Sequence, residues 1–298
     1  MAGGTEMRSI NNWLRALVWK VVSLTTLALL GGLITATLVR YSPGYGVDER
    51  ELDPRLSSSS VEALRNQRRS QSNLLRYYGA YLTGAAHGDF GVSESLQQPI
   101  SRILRERLPV TIRSVLAAIL TAWMAAFLLG IVGAFQRGWL FELSTTVSTG
   151  FLLSLPSAVI GLFFVYLRGP VFLAIAFVTF PKLFRYVRNL LLHASEQPHV
   201  LAARTRGVSQ SRILLRHVIF PVAPSLLALL GVSISLAFGA AVPIEALCDS
   251  AGIGQLAWYA AINRDLPLIT TLTLIVTLLT VASTSISESA SKLLEGSA

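Results

Sequence analysis

Four arginines (Arg204, Arg206, Arg212 and Arg216) and His217 stand together in "LAARTRGVSQSRILLRH", where the nearest acid on the N-terminal side is Glu196. A compact basic cluster of this kind steers and docks; it does not make or break bonds. A second ionisable group, Glu245, Asp249, Arg264 and Asp265, surrounds Gly252 and Gly254 in "PIEALCDSAGIGQLAWYAAINRDLP". Other chemistry finds little support. His87, His193, His199 and His217 lack metal-ligand spacing, and no HExxH, GxSxG or nucleotide-binding GxxxxGK occurs. Cys248 is the single cysteine, so an internal disulfide is excluded.

The elements that must position these residues are apolar. The chain has 298 residues, 52% hydrophobic and 14% charged, against about 25% charged in an average soluble domain. Several runs approach the roughly 20 residues that cross a bilayer. The expected fold is an all-α membrane protein of about six transmembrane helices. Residues 1–40 form an N-terminal segment with the first span (about 21–39). Residues 41–109 form a long external loop region, and 110–298 a core holding spans two to six. Those spans are placed at about 110–134, 143–167, 170 onward, 218–242 and 266–286. Arg8, Arg15 and Lys20 precede the first span and keep the N-terminus in the cytoplasm. Met1–Asn12 is polar and no small-residue cleavage site follows the apolar run closely, so the run reads as a retained span.

The net charge of +9 does not imply nucleic acid, because no basic soluble domain carries it. The basic residues flank spans. Residues 182–217 hold seven Lys/Arg and one acid, whereas 243–267 hold one Arg and three acids, which fits an inside loop and an outside loop respectively. In the external region, "SVEALRNQRRSQSNLLRYYGAYLTG" reads as an amphipathic helix with Leu64, Leu74, Leu75, Tyr78 and Leu82 as its apolar contacts, and "PISRILRERL" as a second such piece. Ala126, Gly130 and Ala134 make a small-residue stripe suited to close helix approach, within one subunit or across a dimer. Pro156 stands in the middle of the third span. The fourth is the weakest, because it must continue through Lys182, Arg185 and Arg188. The two halves show no repeat that would suggest an inverted-repeat carrier.

Within the basic loop, Pro198 fits the first turn of a helix and Gly207 the position just past its end. The helix between them, about nine residues, is marginal alone in water and needs a surface to lie on. Ala202–Ala203 admits a close neighbour, Val200 and Leu201 offer apolar contact, and Ser209 can cap a second helix leading to the fifth span. A topology signal or an anionic-lipid contact explains the charge alone. Protein docking also explains the helix–glycine–helix arrangement.

"LAARTRG" followed by "ILLRHVIFP" resembles the cytoplasmic loop signature of bacterial ABC importer permeases, with Ala202, Ala203 and Gly207 matching and Leu201 standing where many members have Glu. "ARTRG…RH" is similar to the peptide-permease branch. "PIEALCDSAGIGQLAWYAAINRDLPLI" is similar to the segment between the last two spans of dipeptide, oligopeptide and nickel permeases; Glu245, Gly252, Gly254, Leu256, Arg264, Asp265 and Pro267 match, while Ala251 and Leu266 depart. "HGDFGVS" resembles a third signature before the second span. Together the three cover about 80–270.

The resemblance implies an inner-membrane permease subunit that hydrolyses nothing itself. It implies two ABC ATPase subunits that bind ATP and Mg, a second homologous permease, an extracytoplasmic substrate-binding protein and surrounding lipid, with no cofactor in this chain. It assigns ATPase coupling to Ala202, Ala203, Arg204, Arg206, Gly207, Arg212, Arg216 and His217. It assigns an external gate or substrate path to Glu245, Asp249, Gly252, Gly254, Arg264 and Asp265, with Glu245 alternatively a hydrogen-bonding partner within its own segment. Peptide is the expected cargo and nickel the second. The competing classes are an intramembrane enzyme, an exporter or proton-driven carrier, and a structural membrane subunit.

Overall fold

A computed structural model describes residues 74–135 and 138–295, with 22, 25–27, 29–38 and 41. The polar start, residues 42–73 of the external region and Leu64 lie outside the described residues, as do the side chains of Leu74, Leu75 and Ala134. The order is α1 (Thr25–Leu38), α2 (Leu74–Ala86), α3 (Ile100–Phe135), α4 (Trp139–Ser154), α5 (Ser157–Tyr166), α6 (Val171–Ser195), α7 (Pro198–Thr205), α8 (Gln210–Leu247), α9 (Ile253–Ile262) and α10 (Leu266–Glu295). Among the described residues the only strand-like pairing is one isolated bridge, Val92 with Pro99.

The chain divides into two compact units, residues 1–107 with 257–278 and residues 108–256 with 279–298. In the first, Tyr78 is buried on α2 and its hydroxyl donates to the carbonyl of Leu29 at 2.8 Å. Tyr81 donates to Thr271 Oγ1 at 2.8 Å. These bonds tie α2 to α1 and to the start of α10.

In the second, α8 packs on α6 and α5. Small and polar residues allow and fix close approach. The Trp123 indole donates to Ser233 Oγ at 3.0 Å, joining α3 to α8. A Cβ at Gly231 would meet Ser287 Cβ and Thr284 Cα of α10 at 2.8 Å. Two residues of the stripe on α3 pack within the chain: Ala126 is fully buried, and a Cβ at Gly130 would sit 3.2 Å from Val187 of α6. Leu116, Leu120, Met124 and Leu128 of the same helix are exposed at four-residue spacing. Such a stripe is stable where lipid is the solvent.

Among the described residues three helices are long and apolar enough to cross a membrane, Ile100–Gly133, Gln210–Leu247 and Leu266–Leu294, each holding an 18-residue stretch whose mean hydropathy is 2.5, 2.2 and 2.0 respectively. The expected third span is not one straight helix. It breaks at Leu155–Pro156 into α4 and α5, which meet at 94° and count together as a fourth span or as a re-entrant loop. Pro156 cannot continue the ladder of α4 and instead precedes the first residue of α5, Ser157. By length and composition the described residues hold three such helices, or four with the bent pair, which gives an all-α membrane fold without fixing the count of six. α6 runs unbroken for 25 residues through Lys182, Arg185 and Arg188, and these charges keep it out of the apolar set. The expected loop-to-span boundary at 109–110 falls inside α3, a 36-residue helix that passes through Pro109.

Candidate functional site

The basic segment folds as the spacing predicts, with some differences. α7 has eight residues rather than nine, and Pro198 occupies its first turn. Its end is a two-bond cap: Gly207 N–H donates to the Arg204 carbonyl at 3.0 Å and Val208 N–H to the Ala203 carbonyl at 3.1 Å. The cap requires a left-handed residue, and Gly207 has φ +75°. Ser209 stands at the N-cap of the next helix without a side-chain cap bond. Only its carbonyl contributes, accepting from Ile213 N–H at 3.0 Å.

α7 has two sides. Val200 and Ala203 are buried, while Leu201 (55% exposed), Ala202, Thr205 and Arg206 face outward. The alanine pair is therefore split between the chain's own core and the surface. Arg204 is half-buried and its Nε has no hydrogen-bond partner. Arg212, Leu215 and Arg216 are exposed on the opening turns of α8, and His217 is half-buried. These turns are wider than α-helical. Ile213–Ile219 has π geometry, with Phe220 N–H donating to the Leu215 carbonyl five residues back. His199 Nε2–H donates to the His217 carbonyl at 3.0 Å.

The acidic group divides. Glu245 stands in the last turn of α8, not in the connecting segment, and is fully buried. Its Oε2 accepts from Thr111 Oγ1 at 2.9 Å and from Gly254 N–H at 2.8 Å. Thr111 Oγ1 in turn accepts from Ile253 N–H at 2.8 Å. The first amide groups of α9, which no helical carbonyl can satisfy, are thus met by a carboxylate and a hydroxyl from α8 and α3. Glu245 Oε1 is buried without a partner.

Gly252 and Gly254 serve this arrangement by having no side chain. Neither has positive φ, so backbone freedom is not what they supply. A Cβ on Gly252 would collide with the Glu245 carboxylate and Thr111, and one on Gly254 would reach Val242 Cα at 2.7 Å. Asp249 is exposed at φ +49° and accepts a hydrogen bond from Gln255 Nε2.

Asp265 organises a separate cluster. It is 1% exposed and precedes α10. Its Oδ2 accepts from Ser93 Oγ at 2.5 Å, Ser95 Oγ at 2.6 Å and Ser95 N–H at 2.9 Å, while Oδ1 accepts from Leu268 N–H at 3.1 Å. Two sequence signatures far apart in the chain, "HGDFGVS" and "NRDLP", therefore meet through one carboxylate. Arg264 beside it is exposed, at φ +53°. Thr111, Ser95 and His199 were not singled out from sequence as parts of these arrangements. Only the N–H groups opening α9 could have pointed to a hydroxyl such as Thr111.

Residues 126–297 match the profile of the binding-protein-dependent transport system inner membrane component family, which takes in α7, its glycine cap and Glu245 with Gly252 and Gly254. This chain belongs to that family. The permease is 26% identical over 283 residues to a Brucella suis protein provisionally named a peptide transport system permease, covering 84% of this chain and 88% of that protein. A similarly named Brucella abortus protein matches equally, at 26% over 283 residues with the same two shares. The nickel import system permease protein of Staphylococcus aureus is 24% identical over 274 residues, covering 86% of this chain and 83% of that one. The permease is a multi-pass inner-membrane component of the ABC importer class, whose members work with ATPase and binding-protein partners.

Proposed function

We propose that this permease is one of two homologous transmembrane subunits enclosing a path for peptides, with nickel or another small solute as the second reading of the cargo. The peptide reading follows the names of the Brucella relatives, and the nickel reading that of the Staphylococcus relative. In the proposed topology six spans place the N-terminus in the cytoplasm. α7 and the first turns of α8 lie on the cytoplasmic face, and the α8–α10 connection lies outside.

Two ATPase subunits, which bind ATP and Mg, would seat α7 through Ala202, Thr205 and Arg206, with Arg212 and Arg216 alongside. When they close on ATP, the difference in their contact with α7 between the two states supplies the free energy that switches access to the path. An extracytoplasmic binding protein delivers cargo outside. There the segment from Glu245 through Asp249, Gly252, Gly254 and Arg264 to Asp265 forms the outer gate.

The observation that supports docking is the outward face of α7. An eight-residue helix ended by Gly207 keeps Val200 and Ala203 for its own core and leaves Leu201, Ala202 and Arg206 uncovered. The test is purification of the full chain with its ATPase subunits. Arg206→Glu and Gly207→Pro should leave the protein in the membrane while uncoupling ATP hydrolysis from uptake. Normal coupling in both variants would contradict the docking role.

A further inference from the structure

We infer that His199 is a positioning residue that pins α7 to the first turns of α8, and that Pro221 creates the acceptor it uses. The inference deepens the importer reading above and rests on it for its transport readout.

In a regular helix the carbonyl of residue 217 accepts from the N–H of residue 221. Residue 221 is proline and has no N–H. Phe220 N–H, which in an α-helix would meet the carbonyl of Arg216, reaches Leu215 instead. The His217 carbonyl is thus left without its α-helical donor beside the turn where α8 changes from π to α geometry, and His199 Nε2–H takes the vacant place at 3.0 Å. A carbonyl only accepts, so the bond fixes the proton on Nε2 of His199. The two rings lie 6.3 Å apart and tilted by 47°.

Apart from the chain running through Gly207, this is a side-chain bond that crosses from α7 to α8. The buried side chains Val200 and Ala203 of α7, and Ile213 and Val218 of α8, are apolar and fix no direction. A hydrogen bond does. A push on α7 therefore reaches α8 through a directional contact at the point where the α8 ladder is already open. π turns of this kind are common at functional positions.

The test uses the full chain with its ATPase subunits in liposomes, with radiolabelled trialanine as the transport probe. The quantity read is ATP hydrolysed per peptide taken up. A hydrogen bond of ordinary net strength biases an equilibrium by about threefold to tenfold. His199→Ala should raise the ratio by about that factor, with the amount of bound ATPase unchanged. His199→Gln keeps an N–H donor and should restore the ratio. Pro221→Ala supplies the missing main-chain donor, displaces His199 and should raise the ratio as well. The double variant should be no worse than the larger single, because both remove one contact.

An unchanged ratio in His199→Ala, or single effects that multiply in the double, overturns the pin. A wild-type chain that holds no ATPase overturns the importer reading instead. In that event hydrogen exchange of residues 198–208 in the full chain decides the pin. Exchange should be faster in His199→Ala and Pro221→Ala and unchanged in His199→Gln; equal exchange in all four proteins refutes it.

Discussion

Single residues carry different kinds of constraint here, and the side chain a glycine lacks is the clearest. Gly252→Ala would push a methyl group into the Glu245 carboxylate and Thr111. Overpacking of this kind costs about 1–3 kcal/mol. The apparent melting temperature in detergent should fall by several degrees. Gly239→Ala, where nothing lies within 4 Å of the added carbon, should leave it unchanged or raise it, since alanine favours a helix interior. Equal losses in the two variants would contradict the cradle. Gly207 was legible from the sequence because a left-handed cap has a positional signature beside Pro198. Gly252 and Gly254 were legible through the resemblance, but what they do was not. Close approach depends on what packs opposite, here Glu245 and Thr111, 134 positions apart, and no local pattern records that.

Elements were legible where length and charge both spoke. The strongly apolar runs became α3, α8 and α10, and α6 continues through its three basic residues as one helix. The third expected span is not one straight helix, because hydropathy is blind to a bend. Residues 139–166 are apolar enough in total, yet Pro156 splits them at 94°. Labelling in a Cys248→Ser background resolves the bend. In the six-span layout, single cysteines at Trp139 and Tyr166, both exposed, should react from opposite sides of the membrane. Reaction from the same side would make the pair re-entrant and remove a span. The Asp265 cluster belongs to this scale too, because it joins the start of α10 to the turn after α2. Asp265→Ala leaves Ser93, Ser95 and Leu268 without their acceptor, at about 1–3 kcal/mol for buried unmet donors. Limited proteolysis between residues 87 and 99 should accelerate severalfold. A rate equal to wild type would show that the turn is held by something else.

For the whole molecule, the family follows from the match over 126–297, and the three signatures had pointed to it because each is a local string. What the strings did not contain is which side of α7 is free. That division arises from the packing that buries Val200 and Ala203, and it turns a basic loop into an oriented surface of Leu201, Ala202, Thr205 and Arg206. Docking through that surface is the central claim, and site-specific photo-crosslinking tests it directly. With a photoreactive residue at Ala202 in the full complex, the account predicts an adduct with an ATPase subunit, and none when the probe replaces exposed Trp258 on the proposed outer side. No ATPase adduct from Ala202, or an equal yield from Trp258, would contradict it.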